Sequence, residues 1–475
     1  MSRLALILPL LVASPASAGG LRAGAASVKI TPPVGTPMAG YYHARAAEGV
    51  HDDLYAKALV IENEGKKAAL VALDLISTTP ELVEAARQQI EKTTGVRGDA
   101  VMISATHAHT GPVLRSGSAR DGIMGVGSDL GRAYSDGLPA KIAEVVKIAE
   151  AALTPANLSV AHGRETSIAF NRRFHMKDGS VGWNPGKLNR QILKPAGTID
   201  PDVPVVYVES GDRRPLATYV NYAVHLDNVG GARISADMPA TLARCLADFK
   251  GPEMVTLFTA GCCGDINHID VRWAEKQGGF DNAARMGIIL AGEVLRTWPR
   301  LERVNDGALR VKGATVRLDL APVGPEDVAK ARAVVARLDG PKAGQPTFLE
   351  TVKAFQVLDV VARGAKPLEV EVQVVALGDE LAWVSLPGEI FVELGLAIKQ
   401  DSPFRHTIIA ELANGAIGYI PARRSYAQGN YEVVSARCAE GSGERLVDAA
   451  VGLLKALHRE AVGAVGAKGP SPNSP

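Results

Sequence analysis

The chain has 475 residues, of which 47% are hydrophobic and 22% are charged, an ordinary balance for a globular protein. Its formal net charge is +1, so it lacks the basic excess that is typical of nucleic-acid-binding proteins. Aromatic residues make up only 5%, which argues against a wide aromatic platform for carbohydrates. This length allows two domains or one large, elaborated domain.

The first 18 residues have the pattern of a secretory signal peptide. Arg3 gives a positive start, the apolar run 4–12 (LALILPLLV) is too short to span a bilayer, and 16–18 (ASA) matches a cleavage site. No later run approaches about 20 apolar residues. We therefore expect a secreted or periplasmic protein that begins near Gly19 and has no transmembrane segment. An uncleaved membrane anchor is the alternative.

Strand-like and helix-like runs alternate along the rest of the chain. Strands are predicted at 56–62, 68–73, 100–105, 157–162, 203–208, 217–222, 253–258, 309–318, 368–376, 381–386 and 407–411. Helices are predicted at 80–92, 134–152, 238–249, 282–298, 325–338, 391–399 and 443–459. The first helix follows Thr79 and has Pro80 in its first turn, a helix-start signature. The alternation predicts the α/β class, with mixed β-sheets flanked by helices.

The composition favours one catalytic unit, over residues 19–465. A surface insertion is expected at 340–347 (GPKAGQPT), and the Gly/Pro/Ser-rich tail 466–475 is expected to be disordered. An exported protein can form disulfides. A bond between the adjacent Cys262 and Cys263 would be strained, so Cys245 or Cys438 is the better partner for either of them.

The most informative stretch is 105–112 (ATHAHTGP), which follows the apolar run 100–104. His107 and His109 lie two residues apart at the predicted strand end. Alternate strand residues face the same side, and neutral imidazole is a preferred zinc ligand, so this pair indicates a metal site. One buried structural histidine beside one exposed histidine is the competing interpretation.

Other polar residues also follow predicted strands. His225 follows the run 217–224, Tyr419 follows a glycine-containing loop, and Glu389 is predicted to open a helix whose N-terminus would stabilise its carboxylate. The glycine-rich loop 261–268 (GCCGDINH) can bring backbone amides close to a ligand. Asp74 is interpreted as a carboxylate with structural hydrogen bonds, and 51–53 (HDD) as a turn or a group that orients a zinc histidine.

Taken together, these stretches resemble the neutral/alkaline non-lysosomal ceramidase family. The matching blocks occur in order along most of the chain, at 25–33 (AASVKITPP), 40–41 (GY), 51–58 (HDDLYAKA), 106–112 (THAHTGP), 171–173 (NRR), 224–225 (VH), 264–265 (GD), 386–389 (LPGE), 418–421 (GYIP) and 426–432 (YAQGNYE). The resemblance implies a ceramidase-like zinc amidohydrolase domain that acts on a small-molecule or lipid N-acyl substrate, as in sphingolipid metabolism.

The resemblance implies that Zn²⁺ is held by His107, His225, Glu389 and Tyr419. Two imidazoles, a carboxylate and a weak phenolic oxygen would leave the zinc able to bind water or substrate. Zinc lowers the pKa of bound water toward about 7 and polarises a carbonyl. The expected chemistry is attack of this activated water on the acyl carbonyl.

The resemblance also places His109, Arg172 and Tyr431 in the active site. A histidine with a reference pKa of about 6.5 suits a general acid or base, the role expected of His109. Arg172 or Tyr431 could stabilise an oxyanion or hold the polar head of the substrate.

The chain departs from the family pattern at two points. The family's G-D-[VI]-S-P-N reads GDINHI here, with Asn267 at the position of the proposed nucleophilic serine. A carboxamide cannot form an acyl-enzyme, so Asn267 is expected to donate a hydrogen bond, and His268 could replace a missing acid. The chain also stops soon after Tyr431, where typical members continue into an immunoglobulin-like domain, which favours a smaller substrate.

Three functions follow from these observations. The first is an exported zinc hydrolase of N-acyl bonds. The second is a metal-dependent hydrolase of a non-lipid ester, lactone or glycan-derived amide. The third is a non-catalytic binding protein stabilised by zinc, against which the intact ligand set argues, because structural zinc sites rarely keep an open position. The oligomeric state is not predicted.

Overall fold

The computed structural model describes residues 20–338, 344–364 and 366–467. The predicted signal peptide lies outside these ranges, as do most of the predicted 340–347 insertion and residues 468–475 of the predicted tail. Residues 466 and 467 belong to the last helix.

Ten α-helices and twenty-two strands occur in the described ranges. The helices are α1 (Pro80–Thr94), α2 (Asp129–Ala151), α3 (Met238–Lys250), α4 (Phe280–Thr297), α5 (Pro325–Val335), α6 (Phe348–Ala362), α7 (Val392–Asp401), α8 (Arg423–Tyr426), α9 (Tyr431–Ser435) and α10 (Ser442–Ala467). The strands are β1 (Arg22–Lys29), β2 (Gly49–Val50), β3 (Tyr55–Asn63), β4 (Lys66–Leu73), β5 (Val101–Ala105), β6 (Thr154–Arg164), β7 (Phe170–Asn171), β8 (Arg173–Met176), β9 (Val181–Trp183), β10 (Ile192–Pro195), β11 (Asp202–Ser210), β12 (Pro215–Tyr222), β13 (Arg233–Ile234), β14 (Val255–Ala260), β15 (Ile266–Asn267), β16 (Glu302–Arg303), β17 (Leu309–Leu318), β18 (Leu368–Leu377), β19 (Leu381–Ser385), β20 (Glu389–Ile390), β21 (His406–Ala410) and β22 (Tyr419–Ile420).

Local sequence signals set the ends of helix α1. The Thr79 hydroxyl accepts a hydrogen bond from the Leu82 backbone N–H at 3.2 Å, and Pro80 occupies the first turn, where its missing N–H costs nothing. Gly95 ends the helix with φ of 70°, a left-handed conformation that glycine adopts without strain. The predicted start of this helix is confirmed.

The largest sheet has nine strands. Eight of them follow the order β14-β12-β11-β6-β1-β3-β4-β5, and β16 pairs with β6. Most neighbours are antiparallel, whereas β4–β5 and β12–β14 are parallel. Strand β3 is buried on both faces, which explains why it has a nearly continuous apolar run and not an alternating one.

Two sheets pack face to face between layers of helices. The second sheet has the order β17-β18-β19-β21, and Trp383 of β19 lies in a shared core with Leu59 and Tyr219 of the large sheet. Helices α1 to α4 cover the outer face of the large sheet, and α7 and α10 cover the outer face of the small one. The predicted class, mixed sheets flanked by helices, is confirmed.

Three parallel strand pairs end on the same side of this sandwich. These pairs are β4–β5, β12–β14 and β19–β21. A bridge between Ser104 and Ala413, and a hydrogen bond from Glu411 N–H to the Ala260 carbonyl, connect the two sheets there. The segments that follow these strands therefore converge, and every predicted metal ligand lies in one of them, Glu389 and Tyr419 in the short strands β20 and β22.

The sequence missed several elements. Helix α6 follows the predicted insertion but was not predicted, and β1 was noted only as part of a family block. Glu389 does not open a helix: it lies in β20, which pairs in parallel with β22 so that Glu389 faces Tyr419. In the described part of the chain, no helix combines the length and the apolar character that a membrane span needs.

Candidate active site

His107 and His109 lie just beyond the end of β5. His107 has a φ of 74°, outside the strand conformation, so the alternation of strand residues is not what brings the two rings together. A backbone hydrogen bond from His107 N–H to the Leu75 carbonyl holds this turn. The two Nε2 atoms are 3.3 Å apart. The predicted pair is therefore close in space, through a turn that the spacing did not predict.

His225, Glu389 and Tyr419 complete the cluster. The Nε2 atom of His225 lies 3.2 Å from Oε2 of Glu389 and 3.3 Å from the hydroxyl oxygen of Tyr419. The same Glu389 oxygen is 3.5 Å from Nε2 of His107. The structure thus brings all four predicted zinc ligands together, from four separate segments of the chain.

Backbone carbonyls fix the orientation of two imidazoles. Nδ1 of His107 lies 2.8 Å from the carbonyl oxygen of Ile76, and Nδ1 of His225 lies 2.7 Å from that of Cys263. A carbonyl can only accept, so each Nδ1 carries the hydrogen and each Nε2 presents its lone pair to the centre of the cluster in the neutral ring. This is the usual support of a metal-ligating histidine.

The donor set fits a zinc ion. Tetrahedral zinc with bonds of about 2.0–2.1 Å separates its ligand atoms by roughly 3.3 Å, and the distances among these donors are 3.2, 3.3 and 3.5 Å. Two neutral Nε2 lone pairs that face a carboxylate would repel it without positive charge between them. The nitrogen atoms of His107, His109 and His225 also lie within 4.8 Å of one another, so His109 is within reach of the same position.

The electrostatics of the cluster favour such a cation. Burial alone would raise the pKa of Glu389, but the neighbouring imidazoles of His107 and His225 outweigh burial and hold this pKa well below the ordinary value. Burial and the positive Arg172 lower the pKa of His225 to about 4. Burial and the neighbouring His107 lower the pKa of His109 to about 3. His109 and His225 are therefore neutral near pH 7, the form in which imidazole binds metal or accepts a proton.

Arg172 is held in place by a buried carboxylate that the sequence did not assign. Its Nε donates to Glu432 at 2.8 Å, and a terminal nitrogen donates to the Gly264 carbonyl at 2.7 Å. Glu432 also accepts from Arg173 at 2.7 Å, and all three side chains are at most 3% exposed. Arg172 lies between β7 and β8 and Arg173 begins β8, and two adjacent buried arginines need a shared anion. The adjacent arginine pair was the signal available in the sequence. Glu432 is thus a positioning residue for Arg172.

Tyr431 lies at the start of α9, beside the cluster of four predicted zinc ligands. Its ring centroid is 5.2 Å from that of Tyr419, and the Arg172 guanidinium lies 5.8 Å from the Tyr431 ring. With four neighbours it forms an aromatic wall, composed of Tyr42, Trp183, Phe348, Phe355 and Tyr431. Helix α6 contributes two of these rings. Tyr42, Phe355 and Tyr431 of this wall line the cavity beside the cluster, so the low aromatic content does not prevent aromatic lining.

Asn267 is fully buried, and its side chain is already engaged with protein atoms. Its Nδ2 donates to Oδ1 of Asn184 at 3.0 Å, and its Oδ1 accepts from the Ile269 N–H at 3.1 Å. One amide hydrogen of Nδ2 remains for another acceptor. These contacts support the loop next to Trp183, so Asn267 has a structural task beside the role predicted for it.

The remaining sequence candidates have clear structural partners. His268 Nδ1 lies 2.9 Å from Asp227, whose charge also raises the pKa of His268 against the effect of burial. Asp74 accepts from the Tyr55 N–H and lies 3.6 Å from Lys57, the structural interpretation favoured above. Asp52 binds Ser235, so it does not orient a zinc histidine.

A second buried carboxylate supports the loop that holds His225. Glu411 accepts from the N–H groups of Ile390 and Cys263 and from the Cys263 thiol. Burial raises the pKa of Glu411 to about 8. This role was not predicted, because Glu411 was included in the predicted strand 407–411. All four cysteines are free thiols in the structure, so the expected pairing with Cys245 or Cys438 is not formed.

Comparisons with known proteins bear on the family and the fold of this chain. Residues 21–237 match the family model of neutral/alkaline non-lysosomal ceramidase, N-terminal. The neutral ceramidase from Pseudomonas aeruginosa is similar in structure, with a TM-score of 0.72 and 20% identity over 92% of this chain and 75% of that one. A ceramidase complexed with C2 gives a TM-score of 0.69 and 19% identity over 92% of this chain and 76% of that one. No curated protein sequence matches the chain.

At these identities the structural likeness establishes the fold, and the family match covers the segment that contains β1 to β13. The resemblance predicted from the sequence motifs is thereby confirmed. Over residues 21–237 the chain matches the neutral/alkaline non-lysosomal ceramidase family, and as a whole it has the neutral ceramidase fold.

Proposed function

We propose that this protein is an exported zinc-dependent hydrolase of N-acyl amide bonds. The observation that carries the proposal is the convergence of two oriented imidazoles, one carboxylate and one phenol, all within 3.5 Å of a neighbouring donor. The family match and the ceramidase fold support amide hydrolysis as the reaction. Export is proposed from the first 18 residues of the sequence.

The four donors would hold zinc, and the ion would supply Lewis acidity to the acyl carbonyl and to water. His109 lies beside His107 and lines the cavity in front of the four donors. Its lowered pKa leaves it neutral near pH 7, so in this proposal Nε2 accepts a proton during the reaction and does not hold one at rest. Tyr431 also lines this cavity. Arg172 remains positively charged beside the rings of Tyr419 and Tyr431. Its charge would stabilise the negative charge that develops on the carbonyl oxygen of the substrate.

The experiment that tests the function combines metal analysis with turnover. We expect roughly one zinc ion per purified chain, and chelator-sensitive release of fatty acid from an N-acylsphingosine probe or a simpler N-acyl amine. Zinc without any amide turnover would favour the alternative ester or lactone hydrolase. Absence of zinc after reconstitution would contradict the metal site.

We expect Asn267→Ala to lower kcat/KM by about 10-fold or more, because it removes the hydrogen bond proposed to reach the substrate. Asn189→Ala is the matched control. The Nδ2 of Asn189 donates to the Pro185 carbonyl and its Oδ1 accepts from the Gln191 N–H, so its contacts resemble those of Asn267 in a loop away from the metal cluster. Equal kcat/KM in both variants and the wild type would rule out this role. Gain of ceramide hydrolysis by Asn267→Ser would support a serine-dependent mechanism in the family.

A further inference from the structure

The cavity in front of the metal cluster contains an arginine without an anionic partner. Arg120, in the segment between β5 and α2, lines the same cavity as His107, His109 and Glu389. Its guanidinium carbon lies 4.9 Å from the centre of the Tyr42 ring. Within the described ranges, no carboxylate oxygen comes within 4.0 Å of its side-chain nitrogens, although Asp359 and Glu389 act on its charge from farther away.

The other carboxylates of this cavity are engaged elsewhere. Asp359 pairs with Arg437 at 2.6 Å and accepts a hydrogen bond from the Ser118 hydroxyl at 2.9 Å. Asp121 accepts from the hydroxyl and the N–H of Ser116, at 2.8 and 2.9 Å. Glu389 belongs to the metal cluster. Among the described residues, Arg120 therefore has no carboxylate in direct contact, and Asp359 and Glu389 offset its charge only from a distance.

A short series of contacts connects Arg120 to the metal donors. The guanidinium lies over Tyr42, whose hydroxyl is 3.5 Å from that of Tyr431, and the Tyr431 ring is in turn 5.2 Å from that of Tyr419. A substrate that binds at the cluster and extends through this cavity can therefore bring a polar group next to Arg120. Stacking on a ring leaves the edge of a guanidinium free, and this edge matches a carboxylate with two parallel hydrogen bonds.

We propose that Arg120 binds a carboxylate of the substrate, so that acidic N-acyl compounds are preferred over neutral ones. This inference rests on the amide hydrolysis proposed above and names its substrate class. Partial burial of a cation without an anion costs free energy. Pairing of Arg120 with a carboxylate of the substrate offsets this cost when the substrate binds. The carboxylate can belong to the amine part or to the acyl part of the substrate.

Two matched pairs of compounds test the proposal and separate these sources. N-dodecanoylserine and N-dodecanoylserinol differ only by a carboxylate in place of a hydroxymethyl group on the amine part. N-dodecylsuccinamic acid and N-dodecyl-4-hydroxybutanamide make the same exchange on the acyl part. We expect the acid of at least one pair to have a kcat/KM at least 10-fold above that of its alcohol, and Arg120→Gln to abolish this preference.

Arg115→Gln is the matched control, because Arg115 belongs to the same segment but pairs with Asp136 at the surface. It should leave the preference unchanged, and Arg120→Lys should retain part of it. Circular dichroism and thermal unfolding show whether Arg120→Gln is folded. Equal kcat/KM for acid and alcohol in both pairs, or a preference that survives in folded Arg120→Gln, would overturn the proposal.

Failure of the amidase function has a different signature. If none of the four compounds is cleaved, they serve as binding ligands for calorimetry with the wild type and Arg120→Gln. Binding of an acid at least 10-fold tighter than of its alcohol, lost in Arg120→Gln, would support the role of Arg120 although the reaction is another one. Equal binding of acid and alcohol in both pairs would reject it.

Discussion

Glu389→Ala is expected to remove bound zinc and to lower amide turnover by at least about 100-fold. Loss of an outer partner of a metal ligand typically costs 10–100-fold in affinity or activity, and Glu389 touches the donors of both His107 and His225 directly. Its carboxylate is the only full negative charge among the four proposed ligands. The measurements are zinc content after dialysis and kcat/KM with the best N-acyl substrate.

Glu393→Ala is the matched control for this experiment. Glu393 lies four residues farther on, in α7, and pairs with Arg424 at the surface. Its replacement should leave zinc content and turnover at the wild-type level. Full zinc occupancy and unchanged kcat/KM in Glu389→Ala would contradict the ligand assignment, whereas retained zinc with lost turnover would assign Glu389 to the chemistry and not to the metal.

The placement of the predicted ligands at strand ends shows what the sequence could predict. His107 and His225 follow apolar runs that form β5 and β12, because such runs have few alternatives to a buried strand. The parallel pairing of these strands with their neighbours then brings their ends to one edge. The predicted convergence of the ligands therefore followed from hydrophobic patterning together with the family motifs.

Other parts of the site depend on partners that are distant in sequence. Glu389 lies in a two-residue strand paired with Tyr419, thirty positions away, and the local Pro-Gly-Glu pattern favoured a helix start instead. The residues next to Glu411 and Arg120 in the sequence form no motif that indicates a role for either side chain. Their roles arise from burial beside Cys263 in one case and from exposure to the metal cavity in the other. Tertiary packing, and not local propensity, determines both.

Glu432→Ala is expected to lower the free energy of unfolding by about 3–5 kcal/mol, the usual cost of leaving a buried charge without its partner. The effect should lie at the upper end of this range, because Glu432 neutralises both Arg172 and Arg173 and all three are buried. Glu432→Gln retains the shape and one acceptor, so we expect an intermediate loss. Denaturant unfolding followed by tryptophan fluorescence measures both.

Glu302→Ala provides the comparison, since Glu302 pairs with Arg405 while both side chains are more than half exposed. Exposed pairs contribute about 0–1 kcal/mol, so this variant should unfold nearly as the wild type does. A loss in Glu432→Ala no larger than in Glu302→Ala would mean that water or other groups solvate the two arginines.

Turnover of the amide substrate provides a second test of Glu432. Glu432→Gln that remains folded should still lose part of its activity, because its amide offers one acceptor to two arginines and holds Arg172 less firmly over Tyr419 and Tyr431. A purely structural Glu432 would leave kcat unchanged in the folded fraction.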